Sequence, residues 1–372
     1  MTILFAVFAA VLGAVTGSFL NVCIYRMPRG VSLLNPKRSF CPACEKTIPW
    51  YENLPVVSWI FLRGKCSGCG APISFRYPLV ELLTAGVFLT LWVKFSFPLG
   101  VAYFSFAALL LTATFIDFEH FIIPDEITLG GAALGVFLSA VIPELMGTSS
   151  SLSSVGWSIF GALVGFGAVF LIVELGKIAF GRIRHRFAKP EPFRWVRDGE
   201  SVTIFITGEM MDWRDIFSRK KDRLVVFLEG PSAIDGETVS LLRLEFFYDR
   251  VLLDGEVRSL ESISHIEGQM SCVIIPREAM GFGDVKFMAC IGAFLGWQGA
   301  LFALFAGSIV GSLAGVAGLF LAKDHAGVRL PFGPFLAIGA LIWLFGGMLV
   351  FNWYLQLIAE LVGSFFLSPP AS

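Results

Sequence analysis

The sequence predicts an all-α polytopic membrane protein of about eight transmembrane helices, with a cysteine-paired loop and an inserted β-rich domain. Three observations carry this. The 372 residues are 56% hydrophobic and only 15% charged, against about 25% charged in a soluble domain. Apolar runs near the 20 residues that a membrane helix needs recur along the chain. The charges that remain are gathered into a few polar blocks, so the formal net charge of −1 identifies no partner.

Spans are expected near 3–25, 78–97, 99–118, 126–143, 155–180, 299–322 and 334–360. A shorter run, 285–297, makes eight, because Gly281–Asp284 can extend it at the membrane edge. The first span has no basic segment before Thr2–Val15 and no small-residue cleavage site after it, so it reads as retained rather than as a signal peptide. Basic residues test this topology. Arg26, Arg29, Lys37, Arg38, Lys46, Arg63, Lys65 and Arg76 fall between spans one and two. Arg182, Arg184, Arg186 and Lys189 follow span five, and Lys323 and Arg329 follow span seven. The opposite loops near 98, 144–154 and 298 hold none, and Lys94 alone lies near that side. Alternation therefore puts every basic block in the cytoplasm and both termini outside.

The expected domains are a first membrane helix (1–25), a cytosolic loop (26–77), helices two to five (78–180), an inserted cytosolic β-rich domain (181–280), helices six to eight (281–363) and a tail (364–372). In the insert, Ser201–Thr207, Arg223–Glu229, Thr238–Phe247 and Met270–Pro276 read as strands, with Asp235-Gly236 and Asp254-Gly255 as turns. Met210–Ser218 reads as a short helix.

Few acids approach the spans, and each is costly there. Asp117 sits at the cytosolic end of span three among Phe115, Ile116 and Phe118. Its charge opposes the helix dipole and its neighbours desolvate it, so an interfacial acid is the plain reading and a catalytic group the sharper one. Asp284, in Gly281-Phe282-Gly283-Asp284, opens an apolar helix. It reads as an N-cap or as the second member of a carboxyl pair that shares one proton and activates one water. The two lie 167 residues apart, yet the topology places both on one membrane face. Asp125, after Pro124, ranks below Asp117 and reads as a helix cap. Glu119 and His120 read as interfacial residues able to tune the site. Glu81 is either an interfacial acid near the N-terminus of span two or lines a polar cavity.

Cys41-Pro-Ala-Cys44 and Cys66-Ser-Gly-Cys69, 21 residues apart, suit a tetrahedral structural Zn²⁺ in the cytosolic loop, with two redox dithiols as the alternative. Four protein ligands leave no open position for hydrolysis. Cys23, Cys272 and Cys290 stand alone.

Taken together, several stretches resemble the type IV prepilin peptidases, GxGD aspartyl membrane proteases. They are Gly17-Ser-Phe-Leu-Asn21-Val22 with Tyr25-Arg26-Met-Pro28, the cysteine pairs, and Ile73-Ser-Phe-Arg76-Tyr-Pro78-Leu-Val-Glu81. Ile116-Asp117 through Pro124-Asp125, Gly281-Phe-Gly283-Asp284-Val-Lys286 with Leu295-Gly296-Trp297, and Pro331-Phe-Gly333-Pro334 complete the set. The resemblance covers 1–180 and 281–350. It implies an aspartyl endopeptidase of the bacterial inner membrane with Asp117 and Asp284 as its dyad. The implied substrates are the basic leaders of type IV pilin and type II secretion pseudopilin precursors. It also implies S-adenosylmethionine-dependent N-methylation of the new N-terminus, assigned to 26–81 without named residues. Membrane lipid and pilus or secretion assembly proteins are the other partners it suggests; no nucleic acid is expected. Lys286 is a candidate to orient an acidic group of the substrate. The departure is 181–282, a connection that is short in the family; gating, docking and decoration are all open to it. Two rival readings are an intramembrane protease of signal-peptide-peptidase type and a proton-linked transporter, whose acids would lie nearer the midplane.

Overall fold

The computed structural model describes residues 2–35, 38–180, 182–198, 201–206, 209–213, 217, 222–240, 242–276, 280–321 and 330–367. Lys37, Lys323, Arg329, and residues 214–216, 218 and 368–372, on which some expectations rest, lie outside them. Two compact units emerge, Met1–Phe170 with Gly281–Ser372, and Leu171–Met280.

The first unit is helical. It contains α1 (Thr2–Arg26), α2 (Val57–Phe61), α3 (Arg76–Lys94), α4 (Leu99–His120), α5 (Asp125–Val141) and most of α6 (Ser151–Phe180). It resumes with α7 (Phe282–Leu321), α8 (Gly333–Ile342), a π-turn at Trp343–Gly347 and α9 (Met348–Leu367). Among the described residues, six helices rather than eight are long and apolar enough to cross a membrane. The difference has two causes. Helix α5 has 17 residues and stops short. The expected spans 285–297 and 299–322 fall within one helical stretch, α7, interrupted only at Gly296 (φ 70°, ψ 178°).

That interruption is a reversal. A Cβ on Gly165 would overlap the Met288 carbonyl and lie 3.4 Å from Ala300 Cβ. In a continuous helix, residues twelve apart are separated by about 18 Å. The two limbs of α7 therefore fold back on each other, and only glycine takes the backbone conformation at the bend. Glycines set the other close approaches. A Cβ on Gly17 would lie 2.7 Å from Glu81 Cα, and one on Gly13 2.7 Å from Ala85 Cα, which seats α1 against α3. Gly161 and Gly292 each leave no room for a side chain beside the other's backbone, the small-residue packing that membrane helices use.

The second unit is an antiparallel sheet. Its strands are β1 (Arg182–Asp198), β2 (Ser201–Ile206), β3 (Glu209–Asp212), β4 (Leu224–Leu228), β5 (Ser232–Ile234), β6 (Glu237–Val239), β7 (Arg243–Phe246), β8 (Arg250–Leu253), β9 (Glu256–Ser259) and β10 (His265–Pro276). The order is β3-β2-β1-β10-β4-β7-β8-β9, with the β5–β6 hairpin beside β10. Trp195, Trp213, Phe193 and Phe246 fill its core, all of them buried. The expected strand 238–247 is two, β6 and β7. Met210–Asp212 pairs with Thr203–Phe205 as strand β3 rather than opening the expected helix. Its backbone completes the sheet edge, and that tertiary gain overrides local preference.

A leucine at Gly292 should overlap α6 and cost on the order of 1–3 kcal/mol. The expected readout is a lower melting temperature of the purified chain than for Gly156→Leu, a position with open space around it.

Candidate active site and metal centre

Helix α4 carries Asp117 in its final turn. The helix ends because Phe121 adopts the left-handed conformation (φ 55°, ψ 31°) while its N–H donates to the Asp117 carbonyl at 2.9 Å. The chain then passes Ile123 and Pro124 into α5. The Asp117 side chain, 5% exposed, accepts a hydrogen bond at Oδ2 from the Gly333 N–H, 2.9 Å away. This N–H is one of the unpaired donors at the start of α8, so the positive end of that helix faces the carboxylate. A Cβ on Gly333 would stand 2.6 Å from Asp117 Oδ2. Only glycine lets backbone and carboxylate meet here.

Asp284 lies in the first turn of α7, and its N–H donates to the Gly281 carbonyl at 3.2 Å. It is therefore inside the helix rather than its N-cap. The side chain is 9% exposed and within electrostatic reach of Asp117. Ile123 wedges between the two glycine turns. It lies 3.5 Å from a Cβ position on Gly283 and 3.0 Å from one on Gly333. The structure thus brings together both sequence-predicted aspartates at helix ends, not at mid-helix. That placement disfavours the transporter reading.

Asp125 is not part of this pair. It is exposed and accepts from Lys286 Nζ at 2.6 Å. Lys286 is thereby engaged, and its ammonium also lies 5.3 Å from the Phe282 ring. Glu119 pairs with Arg76, and His120 Nε2 lies 4.0 Å from Glu119. Reasoning from side-chain chemistry overlooked Gly333, which holds Asp117 through its backbone. Its signal was the Pro331-Phe-Gly333-Pro334 stretch, noticed only as part of a resemblance.

The four cysteines form the second centre. Two matching turns build it. The Cys41 N–H donates to the Lys46 carbonyl at 3.0 Å and the Cys66 N–H to the Ala71 carbonyl at 2.9 Å. Glu45 (φ 56°) and Gly70 (φ 73°) turn each knuckle through the left-handed region. All four sulfurs lie within 4.8 Å of one another. Cys41 Sγ is 3.9 Å from Cys69 Sγ, and Cys44 Sγ is 4.0 Å from Cys66 Sγ. Thiolates about 2.3 Å from one tetrahedral ion stand about 3.8 Å apart, so the cluster fits a metal. The N–H groups of Cys69 and Gly68 hold the Cys66 thiol down at about 6, whereas Cys44, although it meets the Lys46 backbone, is pushed up to about 11 by the neighbouring thiols.

Comparison with known proteins gives the family. The model described as "Bacterial Peptidase A24 N-terminal domain" matches residues 11–95. That described as "Type IV leader peptidase family" matches 104–183 and 256–316. A prepilin leader peptidase/N-methyltransferase of Aeromonas hydrophila is 30% identical over 367 residues, covering 91% of this chain and 90% of its own. The chain belongs to the type IV leader peptidase family. A relative of the same name from Myxococcus xanthus is 42% identical over 187 residues, 46% of this chain and 56% of its own. Another, from Pseudomonas aeruginosa, is 27% identical over 379 residues, 95% of this chain and 94% of its own. No solved structure matches significantly. The family match passes over 184–255, which lies in the sheet unit of this leader peptidase.

The purified chain should carry one metal ion, measured by elemental analysis. Replacing Cys41 and Cys44 by serine should empty the centre and lower the melting temperature by several degrees.

Proposed function

We propose that the chain cleaves prepilin leaders with Asp117 and Asp284 as its catalytic pair and then methylates the exposed N-terminal amine. The observation that carries the reading is the convergence of these two buried carboxyls, remote in sequence, beside the Gly333 N–H. One ionised carboxyl takes a proton from a water held between them. The other, protonated, donates to the scissile carbonyl as it becomes a tetrahedral intermediate. The proton then passes to the leaving amine, and no covalent intermediate is needed. The Gly333 N–H keeps one carboxylate oriented throughout.

The substrate reading follows from where the pair sits. A prepilin or pseudopilin lays its apolar helix in the inner membrane and leaves its basic leader in the cytosol. The bond to be cut then lies at the cytosolic lip, level with the ends of α4 and α7. Eight traverses are consistent with this, counting α5 and the two limbs of α7 separately. The first limb, 282–295, spans about 21 Å, short of a hydrocarbon core of about 30 Å. Its start with Asp284 is therefore drawn toward the membrane edge. The four cysteines hold a structural Zn²⁺, whose coordination they complete, and the ion fixes the fold of the loop. S-adenosylmethionine supplies the methyl group.

Replacing Asp117 or Asp284 by asparagine should lower prepilin cleavage in purified membranes by at least about 100-fold, since proton transfer by a positioned group supplies about 10²–10⁴. Mass spectrometry of the pilin N-terminus reads cleavage and methylation together. Full cleavage by either variant would end the proposal. Gly333→Ala should also slow cleavage, with the metal content unchanged.

A further inference from the structure

A cavity of about 480 Å³ lies outside the aspartate pair, within the roughly 300–1,000 Å³ of small-molecule sites. It is bounded by α1, the cysteine loop and the starts of α2 and α3. Three aromatic side chains, Tyr25, Trp59 and Tyr77, line it, with the Arg29 guanidinium 4.3 Å from the Tyr25 ring and that of Arg76 5.1 Å from the Tyr77 ring. Its polar lining has unusual features. Asn21 is 2% exposed and donates to the Tyr77 carbonyl at 3.0 Å, yet its Oδ1 has no partner among the described residues. Arg26, 3% exposed, donates to the carbonyls of Ser32, Leu33 and Arg38.

Three carboxylates also line the cavity. Glu119 is paired with Arg76, and Glu52 accepts from Ser67 with Lys46 4.0 Å away. Glu81 differs. It is 7% exposed, and its partners are neutral: the Val56 N–H at 2.7 Å and Ser18. A buried carboxylate met only by neutral donors is electrostatically unbalanced. It retains acceptor capacity. The contact is enforced, because Val56, a β-branched residue, is held at φ 62°, ψ −46°, a region such residues rarely enter.

We infer that this cavity binds the sulfonium methyl donor, with Glu81 facing the positive charge, Asn21 Oδ1 accepting from an N–H or O–H of the nucleoside, and an aromatic wall covering the base. The inference rests on the methyltransferase reading above. A flat base, a hydrogen-bonding nucleoside and a permanent cation match the aromatic side chains of the lining, an open acceptor and a carboxylate met by neutral donors. The location suits the transfer. Glu119, one of the lining residues, stands two residues beyond Asp117 at the end of α4, so the cavity and the carboxyl pair adjoin the same helix end. The amine lone pair forms the N–CH₃ bond, the C–S bond breaks with its electrons left on sulfur, and the surplus amine proton goes to water. Cys41 and Cys66 lie in the cavity wall, which ties the metal centre to donor binding rather than to hydrolysis.

The test is calorimetric binding of S-adenosylmethionine and of the neutral S-adenosylhomocysteine to the full-length, metal-loaded chain in detergent. Folding of each variant is checked by metal content and melting temperature. Glu81→Gln should weaken the sulfonium compound at least tenfold and shift the affinity ratio of the two ligands by about that factor toward the neutral one. Asn21→Ala should weaken both ligands equally. If Glu81→Gln does not fold, Asn21→Ala carries the test alone. Unchanged affinity for both ligands in every folded variant would overturn the inference while leaving the methyltransferase reading intact. A wild-type chain that binds neither ligand and methylates no cleaved pilin would overturn both.

Discussion

Everything in the helical unit depends on backbone reaching places that side chains would block. The contact between the Gly333 N–H and Asp117 is the clearest case, since a single methyl group at position 333 would occupy the space of the carboxylate oxygen. The same rule holds at Gly17, beside Glu81, and along the Gly161–Gly292 crossing. In a membrane, helices gain little from burying apolar surface against one another, so close packing and polar contacts must supply the cohesion. The glycines supply the first, and the aspartate pair sits where three helix ends are drawn together by it.

This arrangement also explains how two acids are kept in an apolar setting. Neither is left at mid-helix. Asp117 meets the positive end of α8, and Asp284 occupies the first turn of α7, where a helix dipole also favours negative charge. The surrounding Ile123 and the small exposure of both groups exclude bulk water. The helix termini stand in for the solvent that burial removes.

Much of this was readable in the residues. Asp117, Asp284 and the four cysteines were found because each is chemically out of place: an acid in an apolar run, or thiols at ligand spacing. The count of spans was less legible. Helix α5 is short, and Gly296 sits in an unbroken apolar stretch, so hydropathy does not mark the fold-back that its backbone conformation makes. Strand β1 was missed because Arg182–Asp198 is basic and holds Pro190 and Pro192. The structure accommodates them through a register shift between Arg186 and Glu191 in the pairing with β10. Strands β5, β8 and β9 are three or four residues long, too short for periodicity to reveal. Gly333 was hidden for another reason: its contribution is a backbone N–H, which every residue has.

The sheet unit begins and ends in one place. Arg182 at the start of β1 lies opposite Pro276 at the end of β10, so the chain leaves the unit beside the point where it came in. A segment built this way has its entry and exit fixed by one strand pair, independent of how far the rest of the sheet extends. Its surface and its length can therefore vary while the two points where it joins the rest of the chain stay side by side.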